Sequence, residues 1–342
     1  MEPDAFDPGE WTHELFAKQP RRHAFAERGD ATVAEWQAPF REDLRETLGH
    51  DVIAAAGVPD LDPVRRSVEQ RDGYVEEDWT VHSESGLRVP FYLLVPDDAD
   101  PPYPTVLAAH GHTSRARELT VGHWETEDQR GGITEQERDV ARQAVRRGYA
   151  AIAPDMRGFG ALGDASHDGR DCSRMQHHAQ LFGRSLVGDR TWDVSRLVDF
   201  AAAEDRLDAD RVAVTGHSGG GTVALFAAAA DERIDVAVPC SYFCALEDSI
   251  GSISHCDCNY LPGIVELGEL WDVAGLIAPR PFLAIAGRED TIFPLDGVER
   301  AFEHLESVYE AAGAADRCEL YVGDGGHRYY AAGAWPFVDE YL

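Results

Sequence analysis

From residue 105 to the C-terminus, short apolar runs alternate with amphipathic stretches, and this alternation leaves few architectures open. The runs are TVLAAH (105–110), YAAIAP (149–154), RVAVTG (211–216), DVAVPC (235–240), PFLAIAG (281–287) and CELYVG (318–323). Helical patterns lie between them, near 136–147, 186–203, 219–230 and 295–312, with a closing helix toward Leu342. Strands that are apolar throughout and separated by helices predict an α/β fold, a mostly parallel sheet with helices on both faces. Upstream, 74–83 and 87–95 alternate in polarity and are joined through Glu84, Ser85 and Gly86, which predicts an antiparallel hairpin. Two connections, 155–183 and 241–279, are too long for simple loops. Both leave the carboxyl ends of strands, where open α/β sheets bind ligands, so they are expected to be insertions that wall a site.

The division expected is a helical N-terminal extension over 1–73 and a catalytic domain over 74–342. In the extension one helix stands out, in APFREDLRETLGH, with Pro39 in its first turn, Phe40, Leu44 and Leu48 on one stripe, and Gly49 as its stop. An appendage packed on the main domain is the simplest role; covering part of a site or making homo-oligomer contacts are the alternatives.

Charge removes several function classes. Acidic residues outnumber basic ones 62 to 31 among 342 residues, a formal net charge of −31, so nucleic acid and anionic membranes are poor partners. The first residues lack the basic and apolar regions of a signal peptide, so a soluble cytoplasmic protein is expected. Lys18 is the only lysine. Dense carboxylates with arginine as the cation suggest a halophilic surface, whose self-repulsion molar salt would screen. Of six cysteines, Cys240, Cys244, Cys256 and Cys258 crowd one segment. The C-x-C spacing, with no second well-spaced pair and no H-x3–5-H, favours buried thiols or a local disulfide over a zinc site.

Chemistry enters with VAVTGHSGGG. Gly216, His217, Ser218, Gly219 and Gly220 fit G-x-S-x-G directly after a strand and before a helix, the context in which a serine stands clear on a sharp turn. A phosphate-binding turn would want a lysine or a G-x-G-x-x-G frame, and neither is present. A serine hydroxyl needs a histidine to take its proton and a carboxylate to orient that histidine. Asp290, in GREDTIFP, and His327, in GDGGHRYY, each follow a strand and complete the order Ser, Asp, His; Glu289 competes with Asp290. Oxyanion donors are expected from the backbone N–H of Gly219 and from the loop AAHGHTSRAR, through His112 or the neighbouring Thr113. His110, His112 and His123 are conceivable metal ligands, but a serine triad needs no metal, and no cofactor or metal is expected.

HGH (110–112), DMRGFG (155–160), GRSLVGDRTWDVSRLVDF (183–200), GHSGGG (216–221), LIAPRPFLAIAGREDTIFP (276–294) and GGH (325–327) resemble the α/β-hydrolase group that includes acetyl xylan esterases and dienelactone hydrolase-like proteins. The resemblance covers roughly residues 75–342. It implies an α/β-hydrolase fold and a serine ester hydrolase with Ser218, Asp290 and His327 as triad. Ser218 stands where dienelactone hydrolases carry cysteine, and Gly219 where many acetyl xylan esterases carry glutamine. Prolyl-type oligopeptidases share the fold but add a propeller that seventy polar residues cannot build.

The resulting expectation is an esterase for small-molecule, short-acyl esters. A small peptidase or amide hydrolase with the same triad and a non-catalytic binding protein on this scaffold are the rivals. If the bulky residues of the insertions face Ser218 they would restrict the acyl group: Phe159, Leu162, Met175, Leu181 and Phe182 in the first, Tyr242, Phe243, Tyr260, Leu261 and Trp271 in the second. The alternative is that they fill the insertions' own small cores.

Overall fold

The computed structural model describes residues 8–97, 100–163 and 171–342. Nine strands form one sheet: β1 (Val64–Arg71), β2 (Tyr74–Glu84), β3 (Leu87–Pro96), β4 (Tyr103–Ala109), β5 (Ala150–Pro154), β6 (Leu207–His217), β7 (Val236–Cys240), β8 (Phe282–Gly287) and β9 (Cys318–Gly323). Their order is β1-β2-β3-β5-β4-β6-β7-β8-β9. The β1, β2, β3 and β5 neighbours pair antiparallel, and every pair from β5 across to β9 is parallel. The chain leaves β4 toward β5 on one side and returns to β6 on the other. That reversal opens a crevice at the carboxyl ends of β4 and β6, where Ala109 lies beside Gly216.

Alternation along each strand splits the core in two. Leu107 and Ala109 of β4 face the larger cluster, with the helices Val33–Leu48, Leu186–Ala203, Gly219–Ala230 and Leu295–Ala311. Val106 and Ala108 face the smaller one, with Val140–Val145 and Ala331–Tyr341. Helices thus cover both faces, as the alternating pattern requires.

The N-terminal region departs from the sequence reading in two ways. It is not helical throughout: VRRSVEQR forms the edge strand β1, almost wholly exposed. Its arginines, rather than an apolar face, mark it as an edge that resists pairing with other chains. The helix of this region also begins earlier, at Val33, because Thr32 and Glu35 form a reciprocal cap, Thr32 Oγ1 accepting from the Glu35 N–H and the Glu35 carboxylate from the Thr32 N–H. Pro39 therefore sits inside the helix and not in its first turn. Gly49, at φ 86°, ends it as expected. Near 136–147 only Val140–Val145 is α-helical, since Glu137 takes φ 50°.

The extension contributes directly to the element that carries Ser218. The helix Gly219–Ala230 is buried on every side, so its last carbonyls cannot reach water. Arg41 Nε donates to Ala229 O at 3.1 Å, Arg45 Nε to Ala230 O at 2.8 Å, and Arg280 to Ala228 O at 2.7 Å. Three guanidinium groups thus satisfy and neutralise the negative end of this helix. The blocks DMRGFG and GRSLVGDRTWDVSRLVDF meet through ion pairs: Arg157 binds Asp193 at 2.6 Å and Glu84 at 2.6 Å, and Arg184 binds Glu84 and Asp189.

Candidate active site

Ser218 occupies the single residue between β6 and the helix Gly219–Ala230, at φ 57° and ψ −115°. A side chain at positive φ costs about 1–3 kcal/mol and persists only where its surroundings hold it. Here the Ser218 N–H donates to Cys240 O at 2.9 Å, tying the turn to β7. Contact with β4 accounts for the flanking glycines: a Cβ on Gly216 would lie 2.5 Å from Ala109 O, and one on Gly220 2.2 Å from the same oxygen.

His327 and Asp290 come together as the chain order implies. His327 Nδ1–H donates to Asp290 Oδ2 at 2.8 Å. Oδ1 of Asp290 accepts from the N–H groups of Ile292 at 2.8 Å and Phe293 at 3.2 Å, so the carboxylate is held at both oxygens. Glu289 is exposed and Asp290 buried, which decides which carboxylate meets the histidine. The histidine loop is itself pinned, because Arg328 O accepts from Ser241 Oγ at 3.1 Å and from Cys240 Sγ at 3.3 Å. Phe293 stacks on the imidazole, with ring centroids 5.9 Å apart.

Ser218, Gly219, His112 and His327 line one cleft of about 320 Å³ at the crevice of the sheet. Its apolar wall comes from Leu119, Val140, Tyr242, Ile253, Ile292 and Phe293. Of the ten bulky insertion residues, only Tyr242 reaches this wall. Phe159 and Phe243 are core residues, Leu181 and Phe182 are 81% and 72% exposed, and Trp271 stacks on His304. The connection between β4 and β5, expected to supply an oxyanion loop and a helix, also supplies Leu119, Thr120, Arg138 and Val140 to the wall of the cleft. Arg138 has a buried Nε without a hydrogen-bond partner, and among the described residues it has no carboxylate partner. His217 is buried beside His327, centroids 4.6 Å apart, and burial drives its pKa well below the usual histidine range.

The three histidines considered as metal ligands do not converge. His110 donates from Nδ1 to Gly111 O at 2.8 Å and accepts at Nε2 from the Met156 N–H at 3.1 Å; burial pushes its pKa down to about 3. His123 lies between Glu118 and Glu76, at 2.6 and 3.1 Å, and these carboxylates raise its pKa to about 9. The cysteine cluster also divides. Cys240 and Cys244 sit apart against Arg328 O and Pro294 O, whereas Cys256 and Cys258 meet His112 and Cys172, and all six thiols are free. Burial works against a charge on His112, but the thiols of Cys256 and Cys258 outweigh it and raise its pKa to about 9.

The profile of the Abhydrolase family matches residues 13–325. "Putative hydrolase YtaP" of Bacillus subtilis (strain 168) is 26% identical over 300 residues, covering 85% of this chain and 94% of that one. Among solved structures, a "putative acetyl xylan esterase" from Bacteroides fragilis NCTC 9343 superposes with a TM-score of 0.75 at 19% identity, over 97% of this chain and 84% of its own. A glucuronoyl esterase from Solibacter usitatus gives 0.66 at 16% identity, over 94% and 98%. With the fold and the family profile in agreement along most of its length, the chain belongs to the Abhydrolase family and has the α/β-hydrolase fold.

Proposed function

We propose that the protein hydrolyses carboxylic esters of small molecules through an acyl-enzyme on Ser218. The observation that carries this reading is the 2.8 Å bond from His327 to Asp290 beside a serine held on a strained turn in the same cleft. With Nδ1–H committed to Asp290, the free Nε2 of His327 takes the Ser218 hydroxyl proton as Oγ attacks the ester carbonyl. The same proton then goes to the leaving alcohol, and water repeats the cycle to free the acid. Gly219 is the first residue of its helix, so its N–H has no intrahelical acceptor and can bind the oxyanion; the backbone N–H of His112 is the second donor. The names of the structural neighbours, an acetyl xylan esterase and a glucuronoyl esterase, agree with ester chemistry.

A cleft of about 320 Å³ lined by aromatic and branched side chains favours a short acyl group. The test is a series of p-nitrophenyl esters from acetyl to octanoyl together with an aminoacyl amide. Acetyl to butyryl esters should be cleaved best, with kcat/KM declining gradually, since each methylene discriminates by about 1–3 kcal/mol. Faster turnover of the amide than of the acetate would replace this reading with the peptidase one. Arg138 supports a narrower version, in which the substrate carries a carboxylate near its ester: its Nη2 donates to Gln136 Oε1, but its Nε is unsatisfied and among the described residues no carboxylate balances its charge, so a guanidinium on the wall would bind one. On that version, Arg138→Gln should raise KM for an acidic ester and leave KM for a neutral one within about twofold.

A further inference from the structure

Four side chains from three separate segments meet beside the cleft. His112 comes from the loop after β4, Cys172 from the start of the helix Cys172–Leu181, and Cys256 and Cys258 from the second insertion. Their ligand atoms, one imidazole nitrogen and three sulfurs, all lie within 4.8 Å of one another. Nε2 of His112 is 3.0 Å from Sγ of Cys258, which is 3.5 Å from Sγ of Cys256. Tetrahedral zinc, with Zn–S of about 2.3 Å and Zn–N of about 2.0 Å, spaces its ligand atoms about 3.5–3.8 Å apart. The four groups need adjust by only about an ångström to reach that arrangement.

We infer that His112, Cys172, Cys256 and Cys258 bind one Zn²⁺ in a closed Cys3His site that staples both insertions to the loop after β4. A second feature points the same way. Arg190 is 1% exposed, and among the described residues it has no carboxylate partner. Its guanidinium donates to Arg157 O at 2.9 and 2.7 Å and to Cys172 Sγ at 3.4 Å. A buried cation needs a compensating anion. Three thiolates and Zn²⁺ carry a net charge of −1, and Arg190 brings the site to zero.

The donor set selects the metal. Thiolate with imidazole in a tetrahedral cage suits zinc and is unsuited to magnesium or calcium, whose ligands are oxygens. Four protein ligands leave no open position, which makes the ion structural and not a source of activated water. On binding, each thiol that ligates gives its proton to solvent as its sulfur bonds the metal. The site also has a place for the ring of His112, because a Cβ on Gly219 would lie 2.7 Å from His112 Nδ1. The ion would therefore fix the loop whose backbone N–H faces the oxyanion, together with Cys256 on the cleft wall.

The experiment is metal analysis of the full chain purified without chelator, by inductively coupled plasma mass spectrometry. About one zinc per chain is expected, with Cys240→Ser and Ser218→Ala retaining it and the Cys172→Ser and Cys258→Ser variants losing it. If those two variants do not fold, the wild type still decides. Reduced, metal-stripped protein given Co²⁺ should show the visible bands of tetrahedral thiolate coordination, which added Zn²⁺ abolishes. Less than about a tenth of an equivalent of zinc in the wild type with no Co²⁺ uptake, another metal in its place, or zinc retained in a folded Cys172→Ser/Cys258→Ser double variant would overturn the assignment. Zinc content in Ser218→Ala is independent of catalysis, so this result and the esterase reading can fail separately.

Discussion

At the residue scale, the reading turns on how tightly single groups are held. The Asp290 carboxylate accepts from two backbone N–H groups and from His327, so it is held in one position. Ser218→Ala should abolish ester cleavage and fluorophosphonate labelling while the circular dichroism spectrum is kept, because triad members act as a unit. Asp290→Asn should lower kcat by about 10⁴-fold through the wrong histidine tautomer, and Glu289→Gln should change it little. If the Glu289 variant is instead the damaging one, the acid is misassigned. Buried neutral histidines set a different dependence. Burial lowers the pKa of His50 to about 4, with its Nε2 bonded to Gly188 O and Thr191 Oγ1 at 3.1 and 2.9 Å. Between pH 6.5 and 4 the unfolded chain protonates this group and the folded chain does not, so its contribution to stability is lost as pH falls. The stability advantage of wild type over His50→Gln should shrink by up to about 1.4 kcal/mol per pH unit in that window, measured by urea unfolding. An advantage that holds constant would show His50 to be solvated. His123 does not disturb the comparison, because its raised pKa leaves it protonated below pH 6.5 in both states.

At the element scale, the helix behind Ser218 depends on the helix Val33–Leu48, whose Phe40, Leu44 and Leu48 pack in the larger core. Arg41 is buried and donates to Ala229 O and to Leu276 O at 2.7 Å. Arg41→Met keeps the aliphatic stem but leaves those carbonyls with fewer donors, at about 1–3 kcal/mol. The crossing between the helices Val33–Leu48 and Leu186–Ala203 is closer still, since a Cβ on Gly188 would lie 1.7 Å from Leu48 O. Backbone cannot yield as a side chain does. Gly188→Ala should therefore cost at least the upper end of the about 1–3 kcal/mol typical of overpacking, seen as a lowered Tm. A Tm within a degree of wild type would mean that the helices separate freely there.

At the scale of the whole molecule, a net charge of −31 opposes compactness. Many arginines are spent on bridging carboxylates, as in the group of Arg157, Arg184, Glu84, Asp189 and Asp193, and the remaining acids repel through solvent. Molar KCl shortens the Debye length to about 3 Å, so Tm and activity should rise from dilute buffer toward molar salt. A flat or falling dependence would leave the scarcity of lysine without a role in stability. No helix among the described residues is long and apolar enough to cross a membrane.

From β4 onward, the strands and the helices that cover them were legible in the sequence to within a few residues, because strands buried on both faces must be apolar and their helices must show an apolar stripe; the short helices Glu127–Glu135, Cys172–Leu181, Ile264–Leu267 and Leu270–Gly275 of the long connections were not. The chain order of the candidate triad was legible for the same reason, as Ser218, Asp290 and His327 each follow a strand that announces itself. β1 was not legible, since an exposed edge strand made of VRRSVEQR gains from pairing alone and needs no alternation. The helix start at Val33 was missed because the Thr32 and Glu35 cap outweighs an interior proline.

Local periodicity and turn chemistry were enough to place the strands from β2 onward, the helices that cover them and the carboxyl-end position of the candidate triad. Which carboxylate meets His327, which side chains wall the cleft, and that Cys172 joins His112, Cys256 and Cys258 while Cys240 and Cys244 do not, follow from the folded arrangement alone. These are contacts between loops distant in sequence. Loop contacts leave no periodic trace, because they depend on how the strands beneath the loops are ordered and not on the spacing of residues along the chain.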